Sequence, residues 1–579
     1  MALAGAAGSL LASWLQDASK LVRSGGDSDS LMRLVQVRDL LAGQGWFDLV
    51  QYRMGPEPGF EMHWSRLVDA PIAILIAAMR EVTGNGPVSE AIAAYLWPGL
   101  LLALCLYFTA RAARSIGGSQ AAFPAVVLAL AALHFMGIFA PGSFDHHNVQ
   151  LALVLGMVAA LLARPGSSGG AAAGTLAALS LAVGMETAPL VAAGAAALAL
   201  CYLVYGASER ETAAGFGIGF AATAALVTVV TLPPRLWASV ACDAWSGAQA
   251  GTAILTGLGL AVCALVTALG VTVQRRALAL ACLGAVTLGV ALLAFPACLA
   301  DPYASLDPLL KRFWLDWVSE AQGVLGLSAA KPGEAAGYFA TPVLALAFLA
   351  WRAMLDPGSR RSALILGAMI ACAAAVSLWQ VRGAIFSVAL AAIPLSLLIA
   401  RARAVAAIRG GPVYTLLLAL AWLASFNIVW NMAVARIAGP HEPAAAAAPG
   451  GDCNAAADYA SLAALPPATV LVISNLGAAV LANTGHRALA GPYHRNVEGN
   501  LAALRALTSD PAAARSMIGE FKIGFVAHCR GNDETRTLSE AFPAGLLAAL
   551  SDRQIPDWLE PIRRDQASGL ELFRVVRGR

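Results

Sequence analysis

Charge is what this chain has least of. Only 13% of its 579 residues are Asp, Glu, Lys or Arg, while 59% are hydrophobic. A soluble domain carries about 25% charged residues, so an ordinary water-soluble fold is excluded. The mean hydropathy of +0.69 places the chain in a membrane. A net charge of +3 without any basic block excludes nucleic acid as a partner. The nine cysteines contain no C-x-x-C pair, which argues against a structural zinc site. Cys105, Cys201, Cys263, Cys282 and Cys372 lie in apolar runs and read as small core residues. Cys453 and Cys529 fall in the polar C-terminal region and can pair if that region is exported. A basic n-region is missing from the start, so no cleavable signal peptide is expected. The opening "MALAGAAGSLLASWL" reads as a shortened first span or an interfacial helix.

What is present is hydrocarbon in helix-length runs. A spanning helix needs about 20 apolar residues. Such runs lie near 92–110, 121–139, 148–163, 170–185, 187–205, 215–232, 253–273, 277–299, 338–355, 362–379, 384–400 and 411–434. Arginine and lysine orient them. One set of loops holds Arg111, Arg114, Arg164, Arg210, Arg275, Arg276, Arg352, Arg360, Arg361, Arg401, Arg403 and Arg409. The alternate set holds only Arg235, Lys311, Arg312, Lys331 and Arg382. The richer set reads as cytoplasmic. Residues 16–90, the loop at Asp145, the loop 300–337 and everything after about 436 then share the outer face.

The tail differs in composition. "AGPHEPAAAAAPGG" (438–451) is a flexible linker. Beyond it "TVLVIS" (469–474), "IGFVAHC" (523–529) and "LELFRVV" (570–576) read as strands among Ala-rich helices. The expected fold class is mainly α. It comprises a polytopic membrane helix bundle of about 12–13 spans with a small C-terminal α/β domain. The expected division is 1–436 for the membrane domain (first outward loop 16–90), 437–451 for the linker and 452–579 for the α/β domain.

The polar residues collect in the outward loops. In "GGDSDSLMRLVQVRD" (25–39) Asp27 and Asp29 precede a helical pattern; either can simply cap it. "EMHWSRLVDAP" (61–71) gathers His63, Trp64, Arg66 and Asp69, an interfacial anchor or a platform for a sugar or phosphate. "GSFDHHNVQ" (142–150) places Asp145, His146 and His147 at a membrane edge, where charged and ionisable groups are costly to bury. Asp145 and His147 are two apart and can share one divalent ion, a carboxylate–imidazole pair suiting Mn²⁺ or Mg²⁺. Glu320 lies in the Trp-rich "DPLLKRFWLDWVSEAQGVLG" (307–326), where an exposed helix position is the plain alternative. Arg382, in "SLWQVRGAIFS" (377–387), ends a span outside; it either reaches for headgroups or meets a phosphate with its forked guanidinium.

On these residues the chain resembles the catalytic subunit of oligosaccharyltransferases, of the GT-C class of membrane glycosyltransferases. "DSLMRLVQVRD" (29–39) matches that family's Asp followed by Arg-Asp, "FDHHN" the Asp-His-His form written by archaeal members, and "WVSE" its Ser-x-Ser-Glu-like motif. The resemblance implies Asp29, Asp145, His147 and Glu320 around a metal ion, with Asp29 favoured over Asp27. It implies Arg382 on the donor phosphate, and a polyprenyl-linked sugar donor within membrane lipid. Asp27 is a further carboxylate for orienting or deprotonating the acceptor. The family's Trp-Trp-Asp-Tyr-Gly acceptor motif is missing. Its place holds "ISNLGAAVLANTGHRALAGPYHRN" (473–496), where His494 and Arg495 are candidate contacts for another acceptor, alongside His63, Trp64, Arg66 and His146. The expected location is a bacterial cytoplasmic (inner) membrane, with the C-terminal domain periplasmic or extracellular.

Three readings follow: an oligosaccharyltransferase-like enzyme, a GT-C monosaccharide transferase acting on a lipid, glycan or polymer, or a transporter or flippase. The acceptor can be lipid, glycan or protein. The third reading asks for broken helices with charges near the midplane. Glu186, in "VGMETAPL" (183–190), instead reads as part of a turn at the outer surface.

Overall fold

A chain in hydrocarbon must satisfy its backbone within each segment, so Ala-, Leu- and Val-rich runs become helices. The computed structural model describes residues 1–16, 27–266, 272–299, 306–315, 322–439, 451–563 and 568–576. In chain order it shows α1 (Ala2–Gln16), α2 (Ser28–Leu41), α3 (Arg66–Thr83), α4 (Gly86–Gly117), α5 (Ser119–Met136), α6 (His147–Leu161), α7 (Ser167–Val183) and α8 (Ala188–Tyr205). There follow α9 (Ala207–Thr231), α10 (Gly247–Val266), α11 (Val273–Ala294), α12 (Pro332–Leu355), α13 (Arg360–Trp379), α14 (Ala384–Arg409), α15 (Pro412–Ser425) and α16 (Asn427–Ala438). Among the described residues nine helices are long and apolar enough to cross a membrane, and α1, α6 and α7 are shorter apolar helices. The protein is a multi-pass membrane protein.

The last expected span, 411–434, is broken. The axes of α15 and α16 meet at 82°. Phe426 between them is extended, and the Trp430 indole donates to the Ala424 carbonyl (2.9 Å), covering an acceptor near the break. Glycines on α12 make room for the turned segment: a Cβ on Gly333 would press on Ala435 and the Asn431 carbonyl, and one on Gly337 on the Phe135 ring.

Small residues also set the closest helix contacts. Gly170 and Gly174 of α7 face backbone atoms of Thr212 and Phe216, while Gly215 and Gly219 of α9 face Ser167 and Ala171. Two G-x-x-x-G stretches thus lock α7 to α9, as expected where lipid supplies no hydrophobic drive between helices.

The two ends of the bundle differ. At one end Arg361 pairs with Glu209, Arg352 donates to the Ile116 carbonyl (3.0 Å), and Arg403 to that of Gln120 (3.0 Å). At the other end lie the loops carrying Asp145, Glu186 and Asp243, together with the C-terminal segment. This is the grouping that the basic-loop count anticipates.

The C-terminal segment forms a five-stranded sheet. Its strands are β3 (Thr469–Leu471), β4 (Arg487–Ala488), β5 (Ile523–Cys529), β6 (Leu559–Ile562) and β7 (Leu570–Val575), numbered after a small hairpin of β1 (Val50–Gln51) and β2 (Phe60–Glu61). The order is β4-β3-β5-β7-β6, parallel on one side of β5 and antiparallel on the other. β3, β5 and β7 are the strands legible in the sequence; β4 and β6 are short edges, β6 carrying Pro561 as an edge strand tolerates.

The first outward loop covers the β4 edge. Gly55 donates to the Ala488 carbonyl (2.9 Å), and the Ala488 amide to that of Arg53 (2.9 Å). Leu31, Met32, Val35, Met54, Met62 and Trp64 of that loop enter the same hydrophobic core as Val470, Leu489 and Tyr493. Disulfides Cys453–Cys529 and Cys242–Cys298 both lie at this end, and the five free cysteines belong to the helices.

Valine at Gly219 should force α7 and α9 apart and destabilise the bundle by about 1–3 kcal/mol. Its thermal unfolding temperature in detergent should fall below wild type. Valine at Gly284, where a Cβ meets nothing within 4 Å, should leave it unchanged.

Candidate functional site

The polar cluster begins where α6 begins. Asp145 lies just before its first turn, where free amides and the helix dipole favour an anion. The His146 amide donates to Asp145 Oδ1 (2.5 Å) and the same ring's Nδ1 lies 2.7 Å from that oxygen. His146 Nε2 faces Glu186 Oε1 at 3.6 Å. His146 therefore stands between two carboxylates and is buried among them. Burial alone would lower its pKa, but Asp145 and Glu186 outweigh it and raise the imidazole to about 10. Burial likewise pushes Asp145 up, yet His147, His146 and Arg33 hold it well below the carboxylate range.

His147 is oriented differently. Its Nδ1 lies 3.0 Å from Gln150 Oε1, and its Nε2 faces Asp145 Oδ2 at 3.7 Å. Gln150 Nε2 donates to Glu186 Oε2 (2.8 Å) and the Gly184 carbonyl (3.1 Å). Both of those partners accept only, so the amide cannot be flipped. Its oxygen therefore faces His147 as an acceptor, so Nδ1 carries a proton, and Nε2 is the ring atom turned to Asp145. Such outer partners commonly set the tautomer of a metal-binding histidine.

Two ligand atoms at about 2.1 Å from one ion can lie up to about 4.2 Å apart. The 3.7 Å between His147 Nε2 and Asp145 Oδ2 meets that test. Asp145, His146 and His147 bring ligand atoms within 4.8 Å of one another. His146, expected as a substrate contact, lies between the Asp145 and Glu186 carboxylates.

Asp27 caps α2, accepting from the Ser30 amide (2.7 Å). Dense surroundings and the neighbouring Asp145 raise its carboxyl above the ordinary range, although the side chain still reaches solvent. Ser30 of the same turn takes the Phe144 amide on its hydroxyl (3.1 Å), fastening α2 to the Asp145 loop. Asp29 lies in the first turn of α2, close enough to Tyr493 to oppose ionisation of its phenol. Glu320 lies outside the described residues.

A ladder of rings runs from this cluster into the C-terminal segment. Centroid distances are 4.4 Å for His146–His147, 5.8 Å for Trp64–His146, 6.0 Å for His63–Trp64 and 4.5 Å for His63–His494. Beneath it the Arg33 guanidinium stacks on Trp64 at 4.2 Å and pairs with Asp69 at 2.7 Å. Arg66 is buried and committed to Asp69, Gln44 and the Asp48 carbonyl, so it braces the loop. Arg495 grips Asp243 with Nε and Nη2, both at 2.8 Å, and His494 Nε2 reaches the same carboxylate at 2.7 Å. Arg382 is half-buried on the turn between α13 and α14, its Nε donating to Gln380 (2.9 Å).

Glu186, Gln150 and Asp243 were not among the candidates drawn from sequence. Their only signal there is an acid or amide at the outer end of a span. Tyr493, in "GPYHRN", is buried, and its hydroxyl donates to the Ser28 carbonyl (2.8 Å).

Neither a protein-family model nor a curated protein matches the chain. Solved structures do match in fold, and they are glycosyltransferases of the GT-C class. The archaeal oligosaccharyltransferase AglB from Archaeoglobus fulgidus, in complex with an inhibitory peptide and a dolichol-phosphate, is 14% identical at a TM-score of 0.64, over 95% of this chain and 71% of that one. The same enzyme in complex with Zn and sulfate is 15% identical at 0.61, over 98% and 72%. The arabinofuranosyltransferase AftD from Mycobacteria is 14% identical at 0.52, over all of this chain and 40% of that one. At such identities the likeness is one of fold.

If Asp145 and His147 share a divalent ion, replacing Gln150 by Leu should free the His147 ring and weaken its binding about 10- to 100-fold. Depletion of the free Mn²⁺ signal in electron paramagnetic resonance measures it; unchanged binding would remove Gln150 from the site.

Proposed function

We propose that the protein is a metal-dependent glycosyltransferase, moving a sugar or glycan from a polyprenyl phosphate or diphosphate to an acceptor at the outer face of a bacterial cytoplasmic membrane. One observation carries the reading: His147 Nε2, its ring oriented through Gln150 and Glu186, faces Asp145 Oδ2 at a distance one ion can bridge, on a fold similar to that of AglB. AglB has been solved with a dolichol-phosphate and, separately, with Zn and sulfate. Asp145 and His147, with Asp29 and Glu320 as the resemblance implies, are the residues that would hold Mn²⁺ or Mg²⁺. An ion held by these residues would supply positive charge to offset the negative charge that gathers on the leaving oxygen as the sugar–phosphate bond breaks.

The remaining work falls to the chain. Arg382, on its outer turn, would face the donor phosphate with a cation. Asp27 is suited to orient the acceptor or take its proton, since its raised pKa brings it closer to proton exchange near neutrality. His146 stays charged between Asp145 and Glu186 and holds the loop at the bilayer edge. The disulfides Cys242–Cys298 and Cys453–Cys529 at this end support an oxidising, exported compartment.

A lipid or glycan acceptor is favoured over a peptide. The Trp-Trp-Asp motif is missing, and His494 and Arg495 in its place are both turned onto Asp243. A transport path finds less support, because the ionisable groups gather at the bundle's ends.

Purified protein incubated with membrane lipid extract and Mn²⁺ should yield a new glycosylated product by mass spectrometry. Chelation should stop its formation and added Mn²⁺ restore it. Asp145→Ala should lower the rate by at least about 100-fold while insertion is retained. A folded Asp145→Ala protein with wild-type turnover would overturn the proposal.

A further inference from the structure

Among the described residues a second group brings ligand atoms within 4.8 Å of one another: His63, Asp243 and His494. The three come from separate parts of the chain. His63 is in the first outward loop, Asp243 in the loop after α9, and His494 in the segment following β4. Asp243 adjoins Cys242, whose disulfide to Cys298 ties its loop to the far end of α11. Trp64 stands between this group and His146, in ring contact with His146 on one side and His63 on the other.

We propose that His63, Asp243 and His494 form a structural Zn²⁺ site, separate from the Asp145–His147 centre, that fastens the C-terminal domain to the outward loops of the membrane domain. Two imidazoles and one carboxylate are a borderline ligand set suited to zinc. Tetrahedral zinc places its ligands roughly 3.3 Å apart, within reach of small side-chain rotations from the observed spacing.

The ion-free arrangement leaves a gap that zinc would fill. His63 Nδ1 is buried and has no hydrogen-bond partner. Buried ring nitrogens rarely go unpaired, so this one points to a ligand. The contacts on Asp243 are consistent with that role. Arg495 holds it through a fork of two hydrogen bonds, Nη1 of the same guanidinium reaches the Glu61 carbonyl (3.4 Å), and His494 supplies the third contact. A carboxylate has about four lone-pair positions, so it can bind an ion while Arg495 fixes its orientation. The cost is a standing cation beside the ion, which Asp243 bridges. Zinc at His494 Nε2 would require the ring's N–H on Nδ1, the proton moving from one ring nitrogen to the other through solvent.

The test uses full-length protein carrying Asp145→Ala and His147→Ala, which removes the first centre. After chelation and dialysis against Zn²⁺, this protein should retain one zinc per chain by mass spectrometric metal analysis. With Co²⁺ instead it should show the visible d–d absorption of a low-coordinate imidazole site, a readout that alters none of the proposed ligands. Adding His63→Gln and His494→Gln should remove both the retained zinc and the absorption. Absence of bound metal in the first variant, or equal retention after the second pair of changes, would overturn the inference. Neither result bears on the glycosyltransferase reading, because the first centre is absent throughout.

Discussion

A carboxylate at the mouth of a hydrocarbon bundle is the constraint around which the outer end is arranged. Burial disfavours the charge on Asp145, and its neighbours counter that burial. The helix start supplies an amide, His146 a charged ring, and His147 a second imidazole. The second carboxylate, Glu186, accepts from Gln150 and faces His146. No member of the group is accounted for alone. Removing one would leave another buried without compensation, which in a low-dielectric setting costs more than the lost contact itself.

The same loop anchors what lies above it. Ser30 fastens α2 to Phe144, α2 presents Leu31, Met32 and Val35 to the core of the C-terminal sheet, and the Tyr493 hydroxyl returns to the backbone of Ser28. The membrane bundle and the sheet are therefore joined through the first outward loop. That loop pairs with the β4 edge on one side and carries the Arg33–Asp69–Arg66 group on the other. A shift of the sheet would be felt at Asp27 and so at Asp145. This is a contiguous physical route, of the kind that energetic coupling between sites needs.

The spans and the Asp-His-His cluster were legible because each is a local property: run length in one case, three adjacent polar residues against hydrocarbon in the other. The grouping of the loops at two ends was legible from the arginines. What escaped was long-range. Asp243 acquires meaning only when residues 494 and 495 are brought onto it, some 250 positions later. Gln150 looks like an ordinary polar residue on α6 until its oxygen is found on His147. Cys242 and Cys298 are separated by two helices, and no spacing rule joins them. The break at Phe426 was hidden because both halves are apolar, and only the glycines of α12 show why the second half can turn aside.

The segment 491–496 is held by its own contacts. Its side chains turn inward. Tyr493 is in the core, and His494 and Arg495 close on Asp243. Arg495 and Asp243 satisfy one another in a fork whose geometry a lysine would not reproduce. A surface whose donors are already engaged offers little to an extended peptide. The ring ladder through His63 and Trp64 connects it to His146.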